Sequence, residues 1–260
     1  MCEEFKDIIY EEKGQVAWVT LNRPATYNAF TPVMNREVTV ALKKANQSDA
    51  IRAIVLTGTG RAFCSGEDLD GVTVDTDHGA ILRARYHPMM QGMKQVEKPI
   101  IAAVNGTAAG AGMSLALAAD FRLVHENAKF VSAFLGVGLI PDSGFLYQLP
   151  RMIGYAKALE LAVLGKPLSA EDAQRCGLVT EVFAADEWED GVASFSMKLA
   201  ALPTKAIGLI KRLMIDGMNE GFLEVLEKEA QAQRIAGQSA DHREGLEAFK
   251  QSRPPMFTGL

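Results

Sequence analysis

Short hydrophobic runs, separated by turns and by amphipathic stretches, dominate the first two thirds of the chain. The runs predicted as strands cover residues 7–10, 15–21, 53–57, 99–104, 120–124, 129–132 and 178–183. Helical periodicity lies between them, over residues 32–45, 113–119, 155–163 and 169–175. Alternating strands and helices are typical of βα units around a parallel sheet. The pattern therefore predicts an α/β fold.

The pattern changes after residue 186, where strand signals end. Phe222, Val225, Leu226 and Ala230 recur at helical spacing, and Lys and Glu occupy the opposite face. We predict an α/β core over residues 1–190, followed by a helical segment over residues 191–260 that packs on the core or on a neighbouring subunit.

Composition narrows the function without assigning it. The chain has 260 residues, 48% of them hydrophobic, and a net charge of -5, which is typical of a globular protein and disfavours nucleic-acid binding. Three widely spaced cysteines, Cys2, Cys64 and Cys176, do not form a disulfide framework and suit a reducing cytoplasm. The acidic start and the interrupted apolar runs predict neither a signal peptide nor membrane insertion.

Histidines and motifs give no metal or nucleotide site. The spacing of the four histidines does not match a metal site, so we interpret them as surface or packing residues: His78, His87, His125 and His242. In "TGTGRAFCSGEDLD", residues 57–70, Phe63 stands where a dinucleotide fingerprint needs its third glycine. We therefore expect no metal and no nicotinamide or flavin cofactor.

Two glycine-containing turns each follow a predicted strand. The loop over residues 64–68 either ends a strand, with Gly66 in an unusual backbone conformation and Asp68 as a cap, or presents free N–H groups to a cleft. Small residues over 106–112, in "NGTAAGAGMSLALAAD", suit either tight packing or a helix N-terminus that attracts negative charge. Together the two turns could supply two N–H donors to one oxygen, as in an oxyanion hole.

A third feature is Asp142 in "GLIPDSGF", residues 138–145. Pro, Asp, Ser and Gly are favoured turn residues, so a purely structural role is open. A carboxylate that follows an apolar run could equally serve as an acid or base.

Five segments, read together, resemble the crotonase (enoyl-CoA hydratase/isomerase) superfamily. They are "LNRPATYNAF", "GRAFCSGEDL", "PIIAAVNGTAAGAGMSLALAAD", "GLIPDSGFLYQLPRMIG" and "GQSADHREGLEAFKQSRPPMFTG". The resemblance implies a crotonase-like spiral of ββα units with a C-terminal helical trimerisation segment, and trimers or dimers of trimers. It also implies acyl-CoA substrates, with coenzyme A as part of the substrate and no separate cofactor.

The resemblance also implies site residues. The oxyanion-hole amides fall on Glu67 and Ala111, and Asp142 is the catalytic carboxylate. Contacts with coenzyme A or the acyl group are expected from Ala62, Cys64, Ser65, Gly66, Asp68, Gly110, Phe134, Leu139 and Phe249. Ser252 stands where many relatives have a lysine, which alters the expected contact with the CoA phosphates.

The hydratases of the superfamily use two glutamates, whose positions here hold Ser114 and Phe134. Hydration by that route is therefore not expected, and Asp142, in an apolar pocket with Phe134 and Leu139 as walls, is predicted to have a raised pKa. The pattern is most similar to the ring-1,2-epoxyphenylacetyl-CoA isomerases, although Phe145 and Leu146 depart from it. Δ3,Δ2-enoyl-CoA isomerisation, an aryl-CoA dehalogenase-type substitution through an Asp142 ester, and non-catalytic acyl-CoA binding are the alternatives.

The loop over residues 72–93 sets the width of the acyl pocket in this prediction. Its sequence includes "DTDHGA", residues 75–80, which predicts a mobile surface loop.

Overall fold

A computed structural model describes residues 5–260, so Cys2 lies outside the described part. Its ten strands are β1 (Ile8–Lys13), β2 (Val16–Leu21), β3 (Ala53–Gly58), β4 (Ala62–Cys64), β5 (Ile100–Val104), β6 (Thr107–Ala109), β7 (Phe121–His125), β8 (Lys129–Val131), β9 (Leu168–Ser169) and β10 (Glu181–Phe183). They form a six-stranded sheet in the order β1-β2-β3-β5-β7-β10 and a four-stranded sheet in the order β4-β6-β8-β9. Each of the seven predicted strands is confirmed.

The connections make a spiral. Strands β3, β5 and β7 of the larger sheet are each followed directly by a short strand of the smaller sheet, namely β4, β6 and β8. Neighbouring strands from β2 to β10 in the larger sheet run parallel, and only β1 pairs antiparallel within it. The predicted α/β fold with repeated ββα units is confirmed.

The helices within residues 5–260 are α1 (Pro32–Gln47), α2 (His78–Ile81), α3 (His87–Gln95), α4 (Ala111–Ala118), α5 (Phe145–Ile153), α6 (Tyr155–Leu164), α7 (Ala170–Arg175), α8 (Trp188–Ala200), α9 (Thr204–Gly217), α10 (Phe222–Gly237) and α11 (Ala240–Gln251). A π-helical turn, Leu82–Tyr86, joins α2 to α3. The region after β10 is helical, as predicted. Of these helices, none combines the length and hydropathy that crossing a bilayer requires.

The central strands of the larger sheet are buried on both faces. Ile54 and Leu56 of β3 pack into one apolar cluster with α1, α3 and α4, while Val55 faces a second cluster with α8. A strand covered on both sides needs apolar residues at every position, because neither face meets water. This explains the continuous hydrophobic runs in the sequence.

The predicted mobile loop over residues 72–93 is wrong from His78 onward, because this part is helical. Asp77 caps α2 by accepting a hydrogen bond from the amide of Ala80 at 2.9 Å. Tyr86 is buried edge-on against Phe30, with ring centroids 5.7 Å apart, and Met89 is buried in the same cluster. Burial of these residues fixes a segment whose polar start is typical of a loop. We call residues 78–86, over the cavity described below, the roof.

Candidate active site

The first turn of the site follows β4. Gly66 has a φ of +98°, which a glycine adopts without strain, and its carbonyl accepts a hydrogen bond from the Phe30 amide at 2.7 Å. The Asp68 amide donates to the Phe30 carbonyl at 3.0 Å. Because this parallel bridge uses the neighbours of Glu67 on each side, the N–H of Glu67 itself is directed away from the bridge.

The second turn follows β6. Gly110, with a φ of +51°, precedes the first residue of α4, Ala111. The N–H groups in the first turn of a helix have no intrahelical acceptor, and the helix dipole adds partial positive charge there. The Ala111 amide is therefore available to a negatively charged oxygen.

The two turns are in direct contact. A Cβ added to Gly66 would lie 3.1 Å from the Ala109 carbonyl oxygen and 3.3 Å from the Ala111 nitrogen. A Cβ on Gly112 would lie only 2.3 Å from the Cys64 carbonyl oxygen. The small residues thus serve close packing, and that packing brings the turns that carry Glu67 and Ala111 together.

Both amides line a cavity of about 210 Å³. The predicted site residues that line it are Ser65, Gly66, Glu67, Gly110, Ala111, Phe134, Leu139 and Asp142. Apolar side chains supply most of the remaining wall: Leu69, Val72, Ile81, Leu82, Ala133 and Val137. The structure therefore brings eight of the predicted site residues together around one cavity.

Four predicted contact residues lie outside this cavity. Ala62 and Cys64 are buried in β4, where burial raises the pKa of the Cys64 thiol to about 12. Asp68 forms an ion pair with Arg23 at 2.8 Å, and that hydrogen-bonded partner holds the pKa of Asp68 below its usual value. Phe249 is 85% exposed on α11. Their contacts with coenzyme A stay predictions.

Asp142 lies in a tight turn, as the sequence indicates. Ser143, which has a φ of +54°, donates a hydrogen bond from its hydroxyl to Oδ1 of Asp142 at 2.8 Å. The hydroxyl of Ser114 donates to the Asp142 carbonyl at 3.0 Å. Ser114, at a position where the hydratases have a glutamate, therefore helps to hold the turn that carries the carboxylate.

The surroundings of Asp142 are largely apolar. Phe134 is buried edge-on against Phe145, with ring centroids 6.0 Å apart, and forms one wall of the cavity. Burial raises the pKa of Asp142 above its ordinary value of 3.8, the hydrogen bond from Ser143 opposes this rise, and the charge of Glu67 adds to it. The raised pKa agrees with the sequence prediction and suits a group that both accepts and returns a proton.

Two residues of the roof bind the carboxylate of Glu67. Arg85 contacts Oε1 at 2.9 Å and Oε2 at 3.1 Å, and the Tyr86 hydroxyl donates to Oε2. Arg85 also donates to Oδ1 of Asn35 at 3.1 Å. These contacts were not predicted, because Arg85, 18 residues from Glu67, lies in a segment that was predicted as a loop. We call Glu67, Arg85 and Tyr86 the clamp.

His78 also lines the cavity, and this was not predicted. It is half-buried at the start of α2, so its interpretation as a surface or packing residue is incomplete. No local motif marks it, because its place beside Asp142 depends on how the roof folds over the two turns.

Comparison with known proteins gives a consistent result. The family model described as enoyl-CoA hydratase/isomerase matches residues 11–259. The chain is 42% identical to "1,2-epoxyphenylacetyl-CoA isomerase" of Escherichia coli, over 95% of this chain and 96% of that protein. It is 41% identical to "Probable enoyl-CoA hydratase" of Rhodobacter capsulatus, over 98% and 99%.

A solved structure shows the same fold. The enoyl-CoA hydratase from Bacillus anthracis superposes with a TM-score of 0.91 at 31% identity, over 98% of this chain and 100% of that one. The family match and the fold agree. The chain belongs to the enoyl-CoA hydratase/isomerase family and is a crotonase-fold enzyme that acts on acyl-CoA.

Proposed function

We propose that the chain is an acyl-CoA isomerase in which Asp142 removes a proton from one carbon and returns it to another. One observation carries the proposal. The cavity has two carboxylates. Arg85 forms an ion pair with that of Glu67, whereas within residues 5–260 that of Asp142 is in no ion pair. A single available base suits an isomerisation, because the same group can hand back the proton that it takes.

The thioester oxygen is placed between the amides of Glu67 and Ala111. As Asp142 removes the proton from the α-carbon, the electron pair of the C–H bond moves toward this oxygen, and an enolate forms. Amide donors that are already oriented stabilise this charge more than they stabilise the neutral thioester, which lowers the barrier. For a Δ3-enoyl substrate, protonated Asp142 then delivers the proton to the γ-carbon. For the ring epoxide, the C–C bond of the three-membered ring breaks to give a seven-membered oxepin ring, and Asp142 delivers the proton to a ring carbon, so that substrate and product are isomers.

The proposed substrate is 2-(1,2-epoxy-1,2-dihydrophenyl)acetyl-CoA. The name of the Escherichia coli relative supports it, as does the size of the cavity. An apolar cavity of about 150 Å³ holds a benzene ring, so about 210 Å³ accommodates a six-carbon ring with an added oxygen. Δ3,Δ2-enoyl-CoA isomerisation requires the same amides and base and is the second candidate reaction.

Turnover of both substrates by wild type and Asp142→Asn tests the proposal. We expect Asp142→Asn to lower kcat/KM by roughly 10²- to 10⁴-fold, the usual contribution of a general base. The matched control is Asp75→Asn, which changes an exposed aspartate outside the cavity. Isomerisation by Asp142→Asn at the wild-type rate would exclude Asp142 as the base.

Two further measurements separate the alternatives. Wild-type protein is expected to form no 3-hydroxyacyl-CoA from crotonyl-CoA, because Ser114 and Phe134 replace the two hydratase glutamates. After turnover in heavy-oxygen water, label in the Asp142 carboxylate would instead indicate displacement through an aspartyl ester. Tight thioester binding without any product would indicate a non-catalytic binder.

A further inference from the structure

His78 places an imidazole in a cavity whose wall is otherwise mostly apolar. It begins α2. Ile81 and Leu82, which follow it in the roof, line the same cavity. Asp142 lines the same cavity, and its pKa responds to the charge of His78, although burial is the larger influence. The imidazole and the carboxylate that would move the proton therefore line one cavity.

Each of three other polar side chains in the cavity already makes a hydrogen bond. The Ser65 hydroxyl donates to the Thr26 carbonyl at 3.1 Å, and Tyr86 donates to Glu67 within the clamp. Asp142 accepts from Ser143. Within residues 5–260 the His78 imidazole forms no hydrogen bond, and its backbone N–H donates to the Thr76 carbonyl.

An imidazole always carries at least one N–H donor. A hydrocarbon acyl group that filled the cavity would displace water from this donor and leave it without an acceptor, which is unfavourable. An acyl group with a suitably placed oxygen would accept the hydrogen bond. Sites that hydrogen-bond a substrate group discriminate strongly against analogues that lack it.

We propose that His78 selects acyl groups that carry an oxygen atom, by donating a hydrogen bond to an epoxide, ether or carbonyl oxygen near Asp142. This inference rests on the proposed function, because it requires the acyl group to occupy this cavity. It goes further by naming the residue, His78, that recognises the oxygen of the acyl group.

His87 provides a matched control. It lines a separate cleft on the other side of the turn, together with Ser143 and Gly144, and not the cavity. Burial raises the pKa of Asp142, and the charges of His78 and His87 both oppose that rise. Removal of either imidazole therefore changes the electrostatics at Asp142, but only His78 is placed to contact the acyl group.

Two thioesters of matched size test the inference: 2-(1,2-epoxy-1,2-dihydrophenyl)acetyl-CoA and the hydrocarbon 2-(cyclohex-1-enyl)acetyl-CoA. For His78→Leu we expect kcat/KM for the epoxide to fall roughly 10- to 100-fold, with the hydrocarbon changed by less than about 3-fold. His78→Gln keeps a donor and should restore much of the loss. His87→Leu should leave the ratio between the two substrates unchanged. An equal loss on both substrates in His78→Leu, or no loss, would overturn the inference.

Binding measurements separate failure of this inference from failure of the proposed function. Calorimetry with (2-methoxyphenyl)acetyl-CoA and (2-ethylphenyl)acetyl-CoA compares an ether with its hydrocarbon counterpart without requiring turnover. Wild type should prefer the ether, and His78→Leu should lose this preference. An equal preference in both proteins would overturn the role of His78 even if isomerisation is established. Lack of turnover with the preference intact would instead overturn only the isomerase.

Discussion

At the residue scale, Glu67 has two separate tasks. Its main-chain N–H is directed away from the bridge with Phe30, while its carboxylate is held by Arg85 and Tyr86 of the roof. These contacts anchor the side chain of the residue that carries the donor. Burial raises the pKa of Tyr86, and the charge of Glu67 adds to this, so the hydroxyl stays a donor.

Arg85→Met tests whether the clamp positions the amide. We expect kcat to fall roughly 10-fold or more, approaching the 10²- to 10³-fold loss known for removal of an oxyanion-hole donor, with KM little changed. Arg85→Lys should recover part of the activity because it keeps the charge. Arg175→Met, which removes an exposed ion pair with Asp172 on α7, is the control. A change in KM alone would show that the clamp does not position the amide.

Asp142 gives a second prediction for a single residue: the carboxylate that the proposed reaction needs should lower the stability of the folded protein. Its pKa is raised in the folded protein above the ordinary value of 3.8, so ionisation of Asp142 costs folding free energy. This cost is absent below pH 3.8 and is complete once the pH exceeds the raised folded pKa. Asp142→Asn should therefore unfold at a higher urea concentration than wild type at pH 7.

The difference in unfolding midpoint should shrink as the pH falls toward the ordinary aspartate value. Urea titrations at several pH values measure it, with Asp75→Asn as the exposed control. A wild type that is more stable than Asp142→Asn at pH 7 would contradict the sign of this prediction.

At the element scale, the length and burial of an element decided how well the sequence predicted it. The central strands of the larger sheet were predictable because they are long and apolar on both faces. Strands β4, β6 and β9 have only two or three residues and were missed, whereas the equally short β8 and β10 lie within longer predicted runs. Helix α5 was not predicted, since it begins after Gly144 and contains Pro150, both of which indicate a break.

The residues of the site also divide into those that could be predicted from the sequence and those that could not. The two turns and Asp142 could be inferred, because each carries a local motif and follows a predicted strand. The clamp and His78 could not, because they depend on the roof, whose polar start resembles a loop and whose fold is fixed by burial of Tyr86 and Met89. Tertiary packing, and not local preference, made this segment helical.

The contact between α4 and β4 gives a prediction for elements. Gly112→Ala would place a Cβ against the Cys64 carbonyl, a backbone atom that cannot move alone. We expect a loss of stability of about 2 kcal/mol and a clear loss of activity, because the two turns must separate. Gly92→Ala is the control, since its Cβ would meet only the Thr39 methyl at 3.8 Å. Removal of a helical glycine should raise stability by about 0.5 kcal/mol.

Urea unfolding and turnover measured on the same samples check this pair. Equal stability of Gly112→Ala and wild type would show that the turns can move apart without cost.

At the scale of the whole molecule, the C-terminal helices leave large apolar side chains uncovered. Ile210, Met214, Phe222, Leu223 and Phe249 are 56%, 67%, 76%, 77% and 85% exposed in the single chain. Such a concentration of apolar surface marks an interaction site. It supports the prediction that residues 191–260 form the contacts of a trimer.

Light scattering tests this prediction. The measured mass of wild type should be the chain mass of 28.1 kDa multiplied by three or by a multiple of three. A Phe222→Asp, Leu223→Asp double variant should shift the population toward smaller species. Val74→Asp, at a fully exposed loop position, should not. A monomeric wild type would refute the assembly.

The π-helical turn of the roof has an evolutionary consequence. Its hydrogen bond runs from the His87 amide to the Leu82 carbonyl, so the turn contains one residue more than an α-helical turn. In this turn the consecutive side chains Arg85 and Tyr86 both reach Glu67. Loss of one residue from this turn would rotate the residues on one side of it by about 100° relative to those on the other side, and would move Arg85 and Tyr86 relative to Glu67. The clamp can thus be gained or lost in a single insertion or deletion, while the spiral beneath it stays intact.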